Sequence, residues 1–209
     1  MEWVTGFAAV VALCISIYSI MQSNKHALFE RRLNAYLKVK WLAKLCDQNK
    51  EYYLSYYTPD KCNEPDHTVD LLFIYMTNCA FLEEVQISIE NQFDVLEKKK
   101  YLLKIEELRN LCEEVQLIFP DNLGHALADF VFYYHEMLSS IYKYKLYVDK
   151  IGLQCQKENN PFPKNNQYEI GYRKEMVKLI SGTFELSERL FKEKTLEKAK
   201  EKIKLSKFN

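Results

Sequence analysis

Four histidines, at positions 26, 67, 125 and 135, and six cysteines, at 14, 46, 62, 79, 112 and 155, are the first residues to test for chemistry in this 209-residue chain. Zinc hydrolases need two His four apart on one helix face beside a Glu base, and no pair here has that spacing. A di-iron bundle needs Glu-x-x-His on two facing helices. The one match, Glu64-Pro65-Asp66-His67, contains a proline that argues against an ordered helix face. The cysteines form no CxxC pair and mostly fall within apolar helical patterns, as buried free thiols do. His125 and Asp129 share a helix face, and with His135 and Glu136 they make the only acid–base grouping worth weighing. Following the turn at Pro120, His125 and Asp129 read as a surface pair, and His135 stands next to a core position, Tyr134.

Anion chemistry fares no better. Loops that cradle phosphates need clustered glycines, whereas Gly6, Gly124, Gly152, Gly171 and Gly182 are scattered singly, and the GxSxG nucleophile elbow is missing. The Arg followed four to six residues later by His that marks HEPN-type helical ribonucleases is also missing. The expectation is a non-enzymatic protein with no catalytic residues, no metal ligands and no cofactor.

The elements that carry these residues are helical. Only five Gly and five Pro are present, too few for a turn-rich β protein or a glycine-looped α/β enzyme. Tyr101, Ile105, Leu108, Cys112, Val115 and Phe119 recur at steps of four and three, which places them on one helix face. Pro120-Asp121-Asn122 breaks the chain. A longer stripe follows, from Leu127 through Phe130, Tyr134, Met137, Ile141, Tyr144, Val148 and Ile151 to Cys155. Two stripes joined by a short turn pack as an antiparallel pair. KENNPFPKNNQ, with Pro161 and Pro163, is a loop, and a last helix from about Tyr168 is expected to bury Met176, Val177, Ile180, Phe184, Leu190 and Phe191. Upstream, residues 22–57 read as continuous helix and LLFIYMTNCAFLEEVQISI as a core helix.

Trp3 to Met21 is uncharged, and at ~1.5 Å per residue it would extend roughly 28 Å, near the thickness of a bilayer's hydrocarbon layer. Residues 22–44 then hold six basic side chains against Glu30. The positive-inside rule predicts a single-pass protein of the inner (cell) membrane, N-terminus outside and the bulk of the chain cytoplasmic. The expected fold is all-α: a transmembrane anchor (1–22) continuing into an antiparallel helical bundle (23–191), with a solvated or frayed Lys/Glu-rich tail (192–209). Trp3, Tyr18, Lys25, Arg31, Arg32, Lys38 and Lys40 are the expected membrane-interface residues, with the bilayer as one partner. A tyrosine cluster, Tyr52, Tyr53, Tyr56 and Tyr57, is a candidate protein-interaction patch. The acidic pairs Glu83-Glu84, Glu106-Glu107 and Glu113-Glu114 read as solvated faces or as a dock for a basic partner. Without aromatics interleaved among the lysines of the tail, nucleic acid is not the expected partner.

Phe29-Glu30-Arg31-Arg32-Leu33-Asn34-Ala35-Tyr36, after an apolar helix, resembles the F-[DE]-[KR]-R-x-x-x-Y segment of a loose group of small bacterial membrane-anchored all-helical proteins. Gln116-Leu117-Ile118-Phe119-Pro120-Asp121 is similar to a second feature of that group. The resemblance implies a membrane-tethered bundle with no known reaction, and Arg31 and Arg32 as the matching basic positions. Together these readings lead to a membrane-tethered helical interaction or regulatory module with an unknown protein partner. The alternative is a membrane-active effector, of toxin or antiphage type, that forms homo-oligomers through its anchor.

Overall fold

The computed structural model describes the backbone of residues 2–56, 69–160 and 166–208, and the side chains of residues 7, 11–55, 69–160 and 166–203. Every regular element among them is a helix: α1 (Glu2–Gln48), α2 (Lys50–Tyr56), α3 (Val69–Thr77), α4 (Val95–Ile118), α5 (Asp121–Glu158), α6 (Gln167–Lys192) and α7 (Thr195–Phe208). Between α3 and α4, Glu83–Ile89 forms a 3-10 helix. The single core helix expected over residues 71–89 is therefore two short pieces, turned at Asn78–Leu82.

Local chemistry sets the ends of the long helices. Asp94 starts α4 by accepting from the backbone N–H groups of Leu96 (2.8 Å) and Glu97 (3.0 Å), two donors that the first turn leaves without helical partners. Phe119 precedes a proline and is driven out of the helical region, to φ −104° and ψ 132°. Asp121, in the left-handed region at φ 54°, then reverses the chain into α5. At the far end Asn159, at φ 55°, closes α5 by donating its N–H toward Cys155 and Gln156 carbonyls.

The two sequence stripes meet as expected. Leu127, Phe130, Tyr134, Met137, Ile141 and Tyr144 of α5 have no exposed surface, and Leu108 and Val115 of α4 face them. Helix α6 covers α5 from its other side with Met176, Val177, Ile180 and Phe184. Helix α3 docks through a cross-helix bond in which the buried Tyr134 hydroxyl donates to the Met76 carbonyl. The lower half of α1 joins through Ala35, Val39, Leu42, Ala43 and Cys46, all buried.

Three expectations need correction. Among the described residues no helix is long and apolar enough to cross a membrane. The single-pass placement in the cell membrane, with its N-terminus outside and bulk inside, is withdrawn; α1 passes residue 22 without a break. The side chain of Trp3 lies outside the described residues. The tail is not frayed along its length. Leu196, Ala199 and Ile203 are buried, because α7 turns back at Lys194 (φ 55°) and lays this thin apolar stripe on α1. Phe191, expected in the core, is 41% exposed at that turn.

The α4–α5 corner tolerates no side chain at Gly124. A Cβ there would lie 2.5 Å from the Phe119 carbonyl oxygen and 3.1 Å from that of Gln116, and a backbone oxygen cannot swing aside as a side chain can. Gly124→Ala is expected to lower stability by about 2 kcal/mol, as overpacking does, despite alanine's better helix propensity. Urea unfolding followed by circular dichroism checks this, and an unchanged midpoint would show that the corner has slack.

Candidate functional site

The basic residues just after the apolar stretch are engaged within the molecule. Arg32 Nε donates to the Ile118 carbonyl at 2.8 Å, satisfying an acceptor that the end of α4 leaves open. Arg31 pairs with Glu114 at 3.3 Å. Lys38 sits 4.7 Å above the Phe81 ring, with Lys104 5.2 Å from the same ring, and Lys40 lies 6.0 Å from the Tyr36 ring. Lys25 and Tyr18 are exposed. The acidic pairs are divided in the same way. Glu84 and Glu107 clamp the buried Lys104 ammonium at 2.5 and 2.8 Å.

The two described side chains of the tyrosine cluster face different neighbours. Tyr53 is buried and stacked on Phe184 (centroids 4.4 Å apart), and Tyr52 meets Tyr75 edge-on at 5.2 Å. The side chain of Tyr56 and all of Tyr57 lie outside the described residues. His125 contacts Gln116 at 3.2 Å on the surface. His135 is half-buried, with Nδ1 3.0 Å from the Glu136 carboxylate. Among the described residues no group of three or more His, Cys, Asp or Glu could hold a metal ion.

A different place on the molecule gathers polar and aromatic groups around space. A cleft of about 860 Å³ runs between α5 and α6, open along one side. One wall is Phe132 and Tyr133, 50% and 37% exposed, their rings 6.1 Å apart and nearly perpendicular. The other is α6 from Arg173 to Glu185. Two local facts hold the walls together. Thr183 Oγ1 contacts the Tyr133 carbonyl at 3.0 Å and that of Leu179 at 2.8 Å, and the Tyr133 ring lies so close over Gly182 that a Cβ there would be 2.7 Å from it.

Beneath the cleft's end lies a buried ionic network. Glu169 and Arg173 are 4% and 7% exposed and stand one turn apart on α6. Arg173 Nε is 3.5 Å from a Glu169 carboxylate oxygen, and the Tyr144 hydroxyl donates to that same oxygen at 3.0 Å. Asn166 places this turn by capping α6 through the N–H groups of Tyr168 and Glu169, while receiving the Tyr147 hydroxyl at 3.2 Å. The Arg173 Nη1 atom is buried without a hydrogen-bond partner among the described residues. Arg173 itself lines the cleft. Such a donor costs about 1–3 kcal/mol while it is left unpaired, which makes it the most costly polar atom at this site.

Charge is spread unevenly along the cleft. Arg173, Lys174 and Lys178 outweigh Glu175 at one end, and Glu136 and Glu185 mark the other. Of these residues the sequence pattern marks only Glu136, beside His135. One signal was available: Phe132, Tyr133 and Tyr134 are consecutive, and at about 100° per residue three successive aromatics cannot all face one core.

No family model, no curated protein and no solved structure matches the chain.

Two outcomes follow from this geometry. In Gly182→Ala the new methyl displaces only a half-exposed ring, and alanine is favoured in helices by about 1 kcal/mol. The melting temperature is expected to hold or rise slightly while the Tyr133 ring moves, visible as altered ring proton shifts; a marked loss of stability would mean that the ring is fixed. Burial lowers the pKa of His135, aided by Arg109 and Lys143 and opposed by Glu136. The unfolded chain, titrating near the ordinary ~6.5, then takes up the proton first. Its contribution to stability is intact above that value and lost as pH falls through it toward the lower folded-state value. Between pH 7.5 and 5 the melting temperature of His135→Gln is expected to fall less than that of the wild type, and parallel curves would refute the assignment.

Proposed function

We propose that the chain is a non-catalytic protein-interaction module that docks an amphipathic helix of a partner protein in the α5–α6 cleft. The observation that carries this reading is the cleft itself. Small-molecule sites close over most of their ligand, typically 70–90% of its surface. This one lies open along a side and follows α6 from residue 173 to 185, about 18 Å at ~1.5 Å per residue. That length suits three turns of a helix. Half-exposed Phe132 and Tyr133 offer the broad aromatic contact from which helix-in-groove interfaces draw their affinity. The small side chain of Ser181 lets a partner backbone come close, beside the Tyr133 ring that covers Gly182.

The partner helix has a defined polarity. Its acidic end faces Arg173, Lys174 and Lys178, and its basic end faces Glu136 and Glu185. Such complementarity favours one direction of docking more than it raises affinity.

A photo-crosslinking side chain placed at Phe132 in the full chain, expressed in its own cells, tests the reading. It is expected to trap one protein through a segment with three- and four-residue apolar spacing. A synthetic peptide of that segment is expected to bind the purified chain, and at least about tenfold more weakly when Gly182→Leu fills the cleft, a loss of about 1.4 kcal/mol or more. The same crosslinker at Leu117, 84% exposed on α4, serves as control. Equal trapping at both positions, or a peptide indifferent to Gly182→Leu, would sink the proposal.

A further inference from the structure

We infer that Arg173 forms an anion subsite at the inner end of the cleft, receiving a carboxylate of the docked partner. The inference rests on the docking reading above and adds to it the chemical group that anchors the partner. Its basis is a conjunction of three facts. Arg173 is more than nine-tenths buried, it lines the cleft, and its Nη1 has no hydrogen-bond partner among the described residues.

Within the molecule the guanidinium is paired weakly. Its one described carboxylate contact is Nε to Glu169 at 3.5 Å, longer than the ~2.7–2.9 Å of a strong charge-assisted bond. Glu169 is also shared, since the same oxygen accepts from the Tyr144 hydroxyl. A second carboxylate would supply the acceptor that Nη1 lacks. Because Nη1 is fully covered at rest, it reaches that carboxylate by a turn of the guanidinium toward the cleft, with Nε remaining beside Glu169. Lys174 and Lys178 on the rim draw the anion in, and the Phe132 and Tyr133 rings, about 15 Å farther along α6 beside Thr183, hold the far end of the partner's apolar face. The selected ligand is thus an acidic group attached to an apolar or aromatic body. A bare anion makes no use of the rings, and an amine is repelled by the three cations.

Two small probes separate the carboxylate from the rest of the ligand. 4-Phenylbutyrate and 4-phenylbutanol carry the same ring and chain and differ in the acid group. Titrated into the isotope-labelled full chain, both are expected to shift the Val177 amide resonance, one turn from Arg173, with the acid binding at least about tenfold more tightly, as a charge-assisted bond to a desolvated donor would give. In R173Q the acid is expected to fall to the affinity of the alcohol. In K174Q/K178Q, at two exposed positions, the acid is expected to bind more weakly and still more tightly than the alcohol. Equal affinities in the wild type, a preference that survives in R173Q, or one that vanishes in K174Q/K178Q would overturn the subsite. Should R173Q fail to fold, the wild-type comparison and the rim variant still decide. Failure of both probes to bind overturns the subsite as well, whereas helix docking is judged separately by crosslinking at Phe132.

Discussion

Helix α5 is apolar on more than one side, and covering it is the constraint from which the other packing follows. A 38-residue helix with a single buried stripe could lie on the surface of a bundle. Here Leu127, Ala128, Phe130, Val131 and Tyr134 are buried within eight residues, as are Met137 to Tyr142 without interruption. At about 100° per residue, six consecutive buried positions leave no side free for water along that stretch. Helices α4 and α6 must therefore flank α5, while α3 and the lower half of α1 close what remains. The polar groups follow the same logic. Tyr134, fully buried, finds an acceptor in the Met76 carbonyl, and Lys145 reaches from α5 to Asp70 on α3 at 3.0 Å. The cleft opens where α5 turns Phe132, Tyr133 and Glu136 outward and only α6 stands beside it.

Charge in this protein is organised around helix ends and inter-helix seams more than around an exposed collar. Arg32 on the end of α4, Arg31 on Glu114 and Lys50 on Glu188 each join helices distant in sequence. The first two explain how a basic cluster that looks like headgroup-binding chemistry comes to lie along α4. In sequence, an arginine that caps a remote helix cannot be told from one that meets a phosphate, because its acceptor is 86 residues away. Exposed pairs of this kind add little stability individually. Their effect is to select one register of α1 against α4.

Legibility in the sequence tracked the range of the interaction. The α4 and α5 stripes and the break at Pro120 are local patterns, and the helices lie where those patterns put them. Leu196, Ala199 and Ile203 also have the right spacing, but three small or medium apolar residues among lysines looked too thin to hold a helix. They suffice because α1 offers a continuous surface to receive them. Phe191 failed for the opposite reason: its spacing fits the core, but the turn at Lys194 ends the neighbouring surface. The cleft was invisible because it belongs to two helices at once. Arg173 resembles any helix-surface arginine until Glu169, Tyr144 and the flank of α5 enclose it.

That enclosure is difficult to explain by stability alone. Replacing a buried ion pair with well-packed apolar side chains is often neutral or stabilising, whereas an incompletely paired guanidinium retains most of its desolvation cost. An apolar residue at 173 would extend the stripe of Met176, Val177 and Ile180 without that cost. The Nε–Glu169 contact is long at 3.5 Å, and Nη1 has no partner among the described residues. An arginine that is costly inside the fold and stands at the cationic end of an open cleft is better placed to be completed from outside. On this reasoning the polarity of the cleft and the orphan donor beneath it have one cause: the interior leaves unmet a charge that an acidic ligand supplies.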